Sequence, residues 1–170
     1  MMVRLLGAVL VASGAAWLGL REAALLRRRA RDLEDMAEGL ALLCRELERD
    51  NPSLPELMER LAGDSRGSAG LLFRDCRGAL EHLERERFGR TWERLVGERT
   101  ELGEEGQRAL IPLGSVLGRY GWEDQRRATE SARQRLVLLA GQWEERWRQQ
   151  GQAYRVLGLS GGAFLVILLL

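Results

Sequence analysis

The side chains that most often carry chemistry are scarce in this chain, which has one histidine, His82, and two cysteines, Cys44 and Cys76. His82 lies in "EHLERER", a solvated helix face, and nothing around it makes a nucleophile–base–acid triad. Cys44 and Cys76 fall on apolar helix faces and read as buried free thiols. Two thiols and one distant imidazole do not make a zinc site, and a disulfide is disfavoured in a reducing compartment. Neither G-x-x-x-x-G-K-[ST] nor G-x-G-x-x-G occurs, and "GSAGLLFRDCRG" shares only its glycines with a phosphate loop. Carboxylates are plentiful but stand beside arginines, as in "ELERD". Such i,i+4 pairs support exposed helices by a few tenths of a kcal/mol each. Trp122, Trp143 and Trp147 read as core or membrane-interface residues rather than a stacking platform. The expectation is no enzyme, no catalytic residue, no metal and no cofactor. A formal net charge of +1 provides no long-range field, so nucleic acid is not an expected partner.

What such a chain has instead is a contrast between its ends and its middle. An apolar block runs from Leu5 to Leu20, and another from Val156 closes the chain as "GGAFLVILLL". A secretory signal would carry its charge in front. Here Arg4 alone precedes the first block, and Arg21, Arg27, Arg28, Arg29 and Arg31 follow it. That order favours a retained anchor. Both blocks are shorter than the ~20 residues of a full span, which suggests two membrane helices that shield each other. Ala8, Ala12 and Ala16 recur every fourth residue, and Gly158 and Gly162 form G-x-x-x-G, a pattern that permits close helix packing in lipid. Arginines cluster on the cytoplasmic side of membrane segments. The run from Arg21 to Arg31, with Arg146, Arg148 and Arg155 before the second block, places the middle in the cytoplasm. The expected organisation is a membrane segment over 1–26, a cytoplasmic helical bundle over 27–155 and a membrane segment over 156–170, in an integral cell-membrane protein.

The middle has helical periodicity throughout and no sustained alternation of the kind a strand needs. Leu33, Met36, Ala37, Leu40, Leu43, Cys44 and Leu47 share one stripe, which "NP" at Asn51 and Pro52 ends. Ser53 and Glu56 then suggest a capping box, with Pro55 tolerated in the first turn. Leu57, Met58 and Leu61 follow, Gly63 closes this second helix, and "GDSRGSAG" reads as a loop. A third helix from about Ser68 carries Leu72, Phe73, Cys76, Ala79, Leu80 and Leu83. A fourth carries Phe88, Trp92, Leu95 and Val96. A fifth runs from about Glu104 to Tyr120, kinked at Pro112. The last starts after "YGWED" and presents Ala128, Ala132, Leu136, Leu139, Trp143, Trp147 and Tyr154. The fold class is all-α: a cytoplasmic bundle of about six helices flanked by an N-terminal and a C-terminal membrane helix.

One stretch is more specific. "LGSVLGRYGWEDQ", with "YRVLGLSGG" before the apolar tail and "RLLGAVL" near the start, resembles the stage III sporulation protein AB family over nearly the whole chain. The late family motif is similar to L-G-x-x-D-x-x-x-Q. Leu117, Gly118 and Gln125 match it, Gly121 stands in the acidic place, and Glu123 and Asp124 are the nearby acids. Leu157 and Gly158 match a further L-G. The resemblance implies a relative of the F-type inner-membrane platform proteins of type II secretion and type IV pilus machines. It implies a role in endospore formation within a channel-like complex between mother cell and forespore. The implied partners are a cytoplasmic secretion-type ATPase, other stage III sporulation subunits and the lipid bilayer, with the soluble domain on the mother-cell side. Self-association into a homo-oligomer is compatible with this. Two other classes share the same pattern. One is a membrane-anchored helical scaffold unrelated to sporulation. The other is a lipid-directed enzyme, which would need paired acids with displaced pKa values in a pocket.

Overall fold

A computed structural model describes the backbone of residues 2–49, 52–80 and 88–169, and the side chains of residue 21 and of residues 24–49, 52–80 and 88–149. Among the described residues the chain is all helical, with no strand. Its α-helices are α1 (Met2–Arg49), α2 (Leu54–Asp64), α3 (Gly67–Leu80), α4 (Phe88–Gly97), α5 (Gly103–Leu110) and α6 (Trp122–Leu169). Short 3-10 turns at Thr100–Leu102 and Ile111–Ser115 flank α5. The chain divides into a central unit, Arg29–Gly141, and a second unit made of both ends, Met1–Arg28 with Gln142–Leu170.

In the central unit the α1 stripe goes inward. Leu33, Met36, Leu40 and Leu43 are fully buried, and Ala37 and Leu47 nearly so. Only Cys44 of the expected set stays half-exposed. Each fully buried large apolar side chain contributes about 1.5–3 kcal/mol, so this face dominates the reasons for α1 to fold onto the bundle. Gly39 lets α3 come close: a Cβ there would lie 2.5 Å from the Ala69 Cβ and 3.0 Å from Phe73. The faces Leu57–Met58–Leu61 of α2, Leu72–Phe73–Cys76 of α3 and Trp92–Leu95–Val96 of α4 are buried as their spacing predicts, and so is Leu136 of α6. Ala79, Leu80, Phe88, Ala128 and Leu139 of the expected faces are half-buried.

Several local expectations are corrected. Ser53 does precede α2, but its side chain makes no capping bond. Pro55 takes the second helical position and has no N–H to offer, while Glu56 instead accepts from Arg60 Nη2 at 2.6 Å. Gly63 does not close α2. The helix continues to Asp64 and ends where the Ser65 N–H reaches the Leu61 carbonyl at 2.9 Å. The expected loop shrinks to Ser65 and Arg66, because α3 starts at once on Gly67 in the left-handed region at φ +55°. Ser68 then ties it to α1 by donating to the Asp32 carbonyl at 2.6 Å. The fifth helix stops at Leu110 rather than bending at Pro112 and running on to Tyr120. Proline cannot donate to the α ladder, so the chain tightens into the 3-10 turn Ile111–Ser115. Finally, α6 begins inside "YGWED", at Trp122, with Glu123 and Asp124 in its first turn. Acids there are favoured by the helix dipole.

In the second unit, the Arg27 guanidinium of α1 lies over the Trp147 ring of α6, 5.1 Å from its centre. Arg146 lies over Trp143 at 4.7 Å. Glu144 and Arg148 form an i,i+4 pair at 2.8 Å. Among the described residues no helix is long and apolar enough to cross a membrane. The expected packing residues Ala8, Ala12, Ala16, Gly158 and Gly162 lie outside the residues whose side chains are described, as does Tyr154. Leu83 and His82 lie outside the described residues altogether.

Candidate functional site

The residues of the late motif come together at the turn that delivers the chain from α5 to α6. Leu117 is buried to 1% exposure and plugs the turn into the core. Gly118 has φ +71°, a conformation that costs residues with a Cβ roughly 1–2 kcal/mol. Its N–H donates to Gln125 Oε1 at 3.0 Å. The Gln125 Nε2 donates in turn to the Tyr120 carbonyl at 2.7 Å. Gln125 is 6% exposed, so one buried amide uses both its acceptor and its donor to hold the two sides of the turn. Thr129, fully buried one turn later, donates to the Gln125 carbonyl at 2.7 Å.

The departure from the family pattern has a geometric reading. Gly121 is the residue immediately before α6, and its carbonyl accepts from the Asp124 and Gln125 N–H groups, each at 3.1 Å. It is the N-cap. An acidic side chain at this place would cap the helix, and glycine is among the tolerated replacements at a cost of a few tenths of a kcal/mol relative to the best caps. Glu123 and Asp124 are both exposed, and Asp124 pairs with Arg127 at 3.7 Å. The motif is thus a plug, a left-handed turn, a cap and a clasp.

The same turn walls a groove of about 630 Å³, with Leu54 of α2, Phe88, Gly89 and Arg90 of α4, and Leu117 and Arg119 among its lining residues. Sequence reasoning did not find it. Its floor depends on a close approach: a Cβ on Gly89 would lie 2.9 Å from the Gly114 carbonyl, and one on Gly114 would lie 2.7 Å from Trp92 Cδ1. Trp92, fully buried, donates its indole N–H to the Leu110 carbonyl at 2.8 Å, where α5 gives way to the 3-10 turn. The only signal in the sequence was the glycines themselves, in "FGRTW" and "PLGS".

Other candidate groups are set apart from this turn. Cys76 is buried and Cys44 half-exposed, and both are free. Burial pushes the Cys76 thiol up to about 12. Burial, with Glu130 adding to it, pushes Cys44 to about 11. Both are protonated, weak nucleophiles at neutral pH. Arg133 hydrogen bonds hold the Glu130 carboxyl below the usual carboxylate range. A smaller cleft, about 260 Å³, is lined by Asp35, Glu38, Asp64, Ser65 and Arg66, with Gly39 and Leu42. No group of acids, histidines and cysteines among the described residues could hold a metal ion.

Fold and site together define an all-α bundle whose distinctive polar residues build a turn. The stage III sporulation protein AB family model matches residues 4–170, and the chain belongs to that family. Membership supports a role in sporulation. No curated protein matches the chain, and no solved structure does.

Proposed function

We propose that the chain is a non-enzymatic platform subunit of a secretion-like complex spanning the envelope in endospore formation. It sits in the cell membrane with its bundle on the cytoplasmic, mother-cell side. It couples a cytoplasmic secretion-type ATPase to the membrane channel by protein–protein contact, alongside other stage III sporulation subunits. The observation that carries this reading is the family match along residues 4–170. The arginine-flanked apolar blocks at both chain ends support the anchoring and its orientation.

In this reading the two ends pair in the bilayer. The Arg27–Trp147 contact offers a register for antiparallel pairing. Equal steps toward the two chain ends lead from it to Ala16 with Gly158, and to Ala12 with Gly162, the small residues that close packing in lipid requires. Cysteines at Ala12 and Gly162 should cross-link within one chain under oxidation. A failure there, with a control pair in the bundle cross-linking, would separate the two ends.

The test of the function itself is purification of the full chain from sporulating membranes, followed by mass spectrometry. Enrichment of a secretion-type ATPase and stage III subunits over a mock purification is expected. If none is enriched, the reading is wrong. Orientation is tested by cysteine labelling at Arg66, which is exposed, in intact cells, where strong reaction with an impermeant reagent would contradict a cytoplasmic bundle.

A further inference from the structure

We infer that the groove beside the motif turn is a docking site for a segment of a partner protein that presents an apolar side chain flanked by carboxylates. The inference rests on the platform reading above and names the face and chemistry of its contact. Three observations on the central unit converge. The floor is apolar and open: Leu54 and Phe88 are half-buried, Leu117 is buried, and Gly89 and Gly114 add backbone rather than side chains that would fill the space. Among the described residues, the cations are not tied up in ion pairs. Arg90 and Arg119 line the groove, are exposed, and make no ion pair among the described residues, whereas most arginines elsewhere on this unit do, such as Arg60 with Glu46 at 2.9 Å. One carboxylate, Glu93, also lines it, so among the described residues the groove has two positive groups against one negative. Within three residues of Arg119 in the chain, Tyr120 and Trp122 are 58% and 40% exposed. Tyrosine, tryptophan and arginine are the residue types from which interface anchors are most often built.

Charge complementarity therefore selects the occupant. An acidic segment would gain the two arginines while its apolar side chain fills the floor. A basic one would meet two like charges. Contacts to rim arginines set association rate and salt dependence as well as affinity, so binding should weaken as salt rises and screening shortens the field. The clasp links this face to the motif. Gln125 holds Gly118 and Tyr120, and with them the position of Arg119 between.

The test uses the full chain in sporulating cells, with a photoreactive phenylalanine analogue at Ser115, a groove residue, and at Arg74 on α3 as a control. The expected adduct at Ser115 is a peptide from another protein with Asp or Glu beside an apolar residue. The double variant Arg90→Glu, Arg119→Glu should lower its yield by about tenfold or more, the effect of losing ~1.4 kcal/mol. Arg74→Glu should leave it unchanged. Replacing the captured peptide's acids with lysine should restore the yield in the double variant. The milder Arg90→Gln, Arg119→Gln pair serves if the reversal lowers the melting temperature. An adduct only with a second copy of this chain, an adduct only with lipid, a captured peptide without acids, no adduct at all, or indifference to charge reversal would each overturn the inference. The two readings fail separately. If the wild-type chain purifies with no sporulation subunit, the platform reading falls. If it purifies with those subunits and the groove variants do so equally well, only the groove is wrong.

Discussion

The corner between α2 and α3 and the turn between α5 and α6 both link successive helices, yet different forces hold them. The first has two linking residues, Ser65 and Arg66, between helices whose inner faces are fully covered by Leu57, Met58, Leu61, Ala69, Leu72 and Phe73. Apolar burial on either side fixes the corner, and few polar groups are needed. The second spans a 3-10 segment and an irregular turn, and puts Leu113 and Leu117 into the core. Besides these plugs and its own backbone bonds, the one buried side-chain amide that bridges its two sides is that of Gln125. A corner held by many contacts tolerates surface change. A turn bridged by one side-chain amide concentrates its requirements in a few positions, which is how a short motif arises without chemistry.

This contrast can be broken or sharpened by substitution. The largest effect is expected at the first corner. Phe73→Ala removes a fully buried ring and should cost about 3–5 kcal/mol, seen as a lowered melting temperature of the whole central unit. Gln125→Leu should cost less, about 1–3 kcal/mol for the unpaired Gly118 N–H and Tyr120 carbonyl, with the loss centred on the turn. Gly118→Ala should cost about 1–2 kcal/mol from its left-handed backbone, with added crowding because the new Cβ lies 3.1 Å from Leu54. Gly121→Asp should raise stability by a few tenths of a kcal/mol, since a Cβ there meets nothing within 4 Å. A chemical role for the acid would instead give a gain in function with no gain in stability.

The smallest effect is electrostatic. Glu130 accepts from Arg133 at 2.7 Å, which depresses the folded-state pKa of the carboxyl. Its contribution is therefore present above the unfolded carboxylate pKa and lost as pH falls through the lower folded value. Both side chains are about one-third exposed, so the pair is worth less than ~1 kcal/mol. Glu130→Gln should slightly flatten the acid limb of a stability–pH curve and leave neutral stability nearly unchanged.

The fold was largely legible because helical periodicity reports burial directly. The Leu33–Leu47 stripe, Trp92 and Leu136 went where their spacing put them. What was hidden is set by geometry that periodicity does not encode. Ser53 and Glu56 have the letters of a capping box, but Pro55 removes a donor and Arg60 claims the acid. Pro112 marks a break without saying whether the helix bends or ends. The motif residues Leu117, Gly118 and Gln125 were recognised as a pattern, but their roles required the positive φ and two hydrogen bonds. The groove was invisible because Gly89 and Gly114, which meet to form its floor, are distant in the chain and unremarkable one at a time.

The clasp is the center of this picture, and amide hydrogen exchange at Gly118 tests it most directly. In the full wild-type chain, the N–H bonded to Gln125 should exchange slowly. In Gln125→Ala it should exchange at the rate of an open turn, while amides in α3 around Phe73 keep their protection. Equal exchange at Gly118 in the two proteins, or loss of protection spread evenly through α3, would contradict a turn clasped by the Gln125 amide.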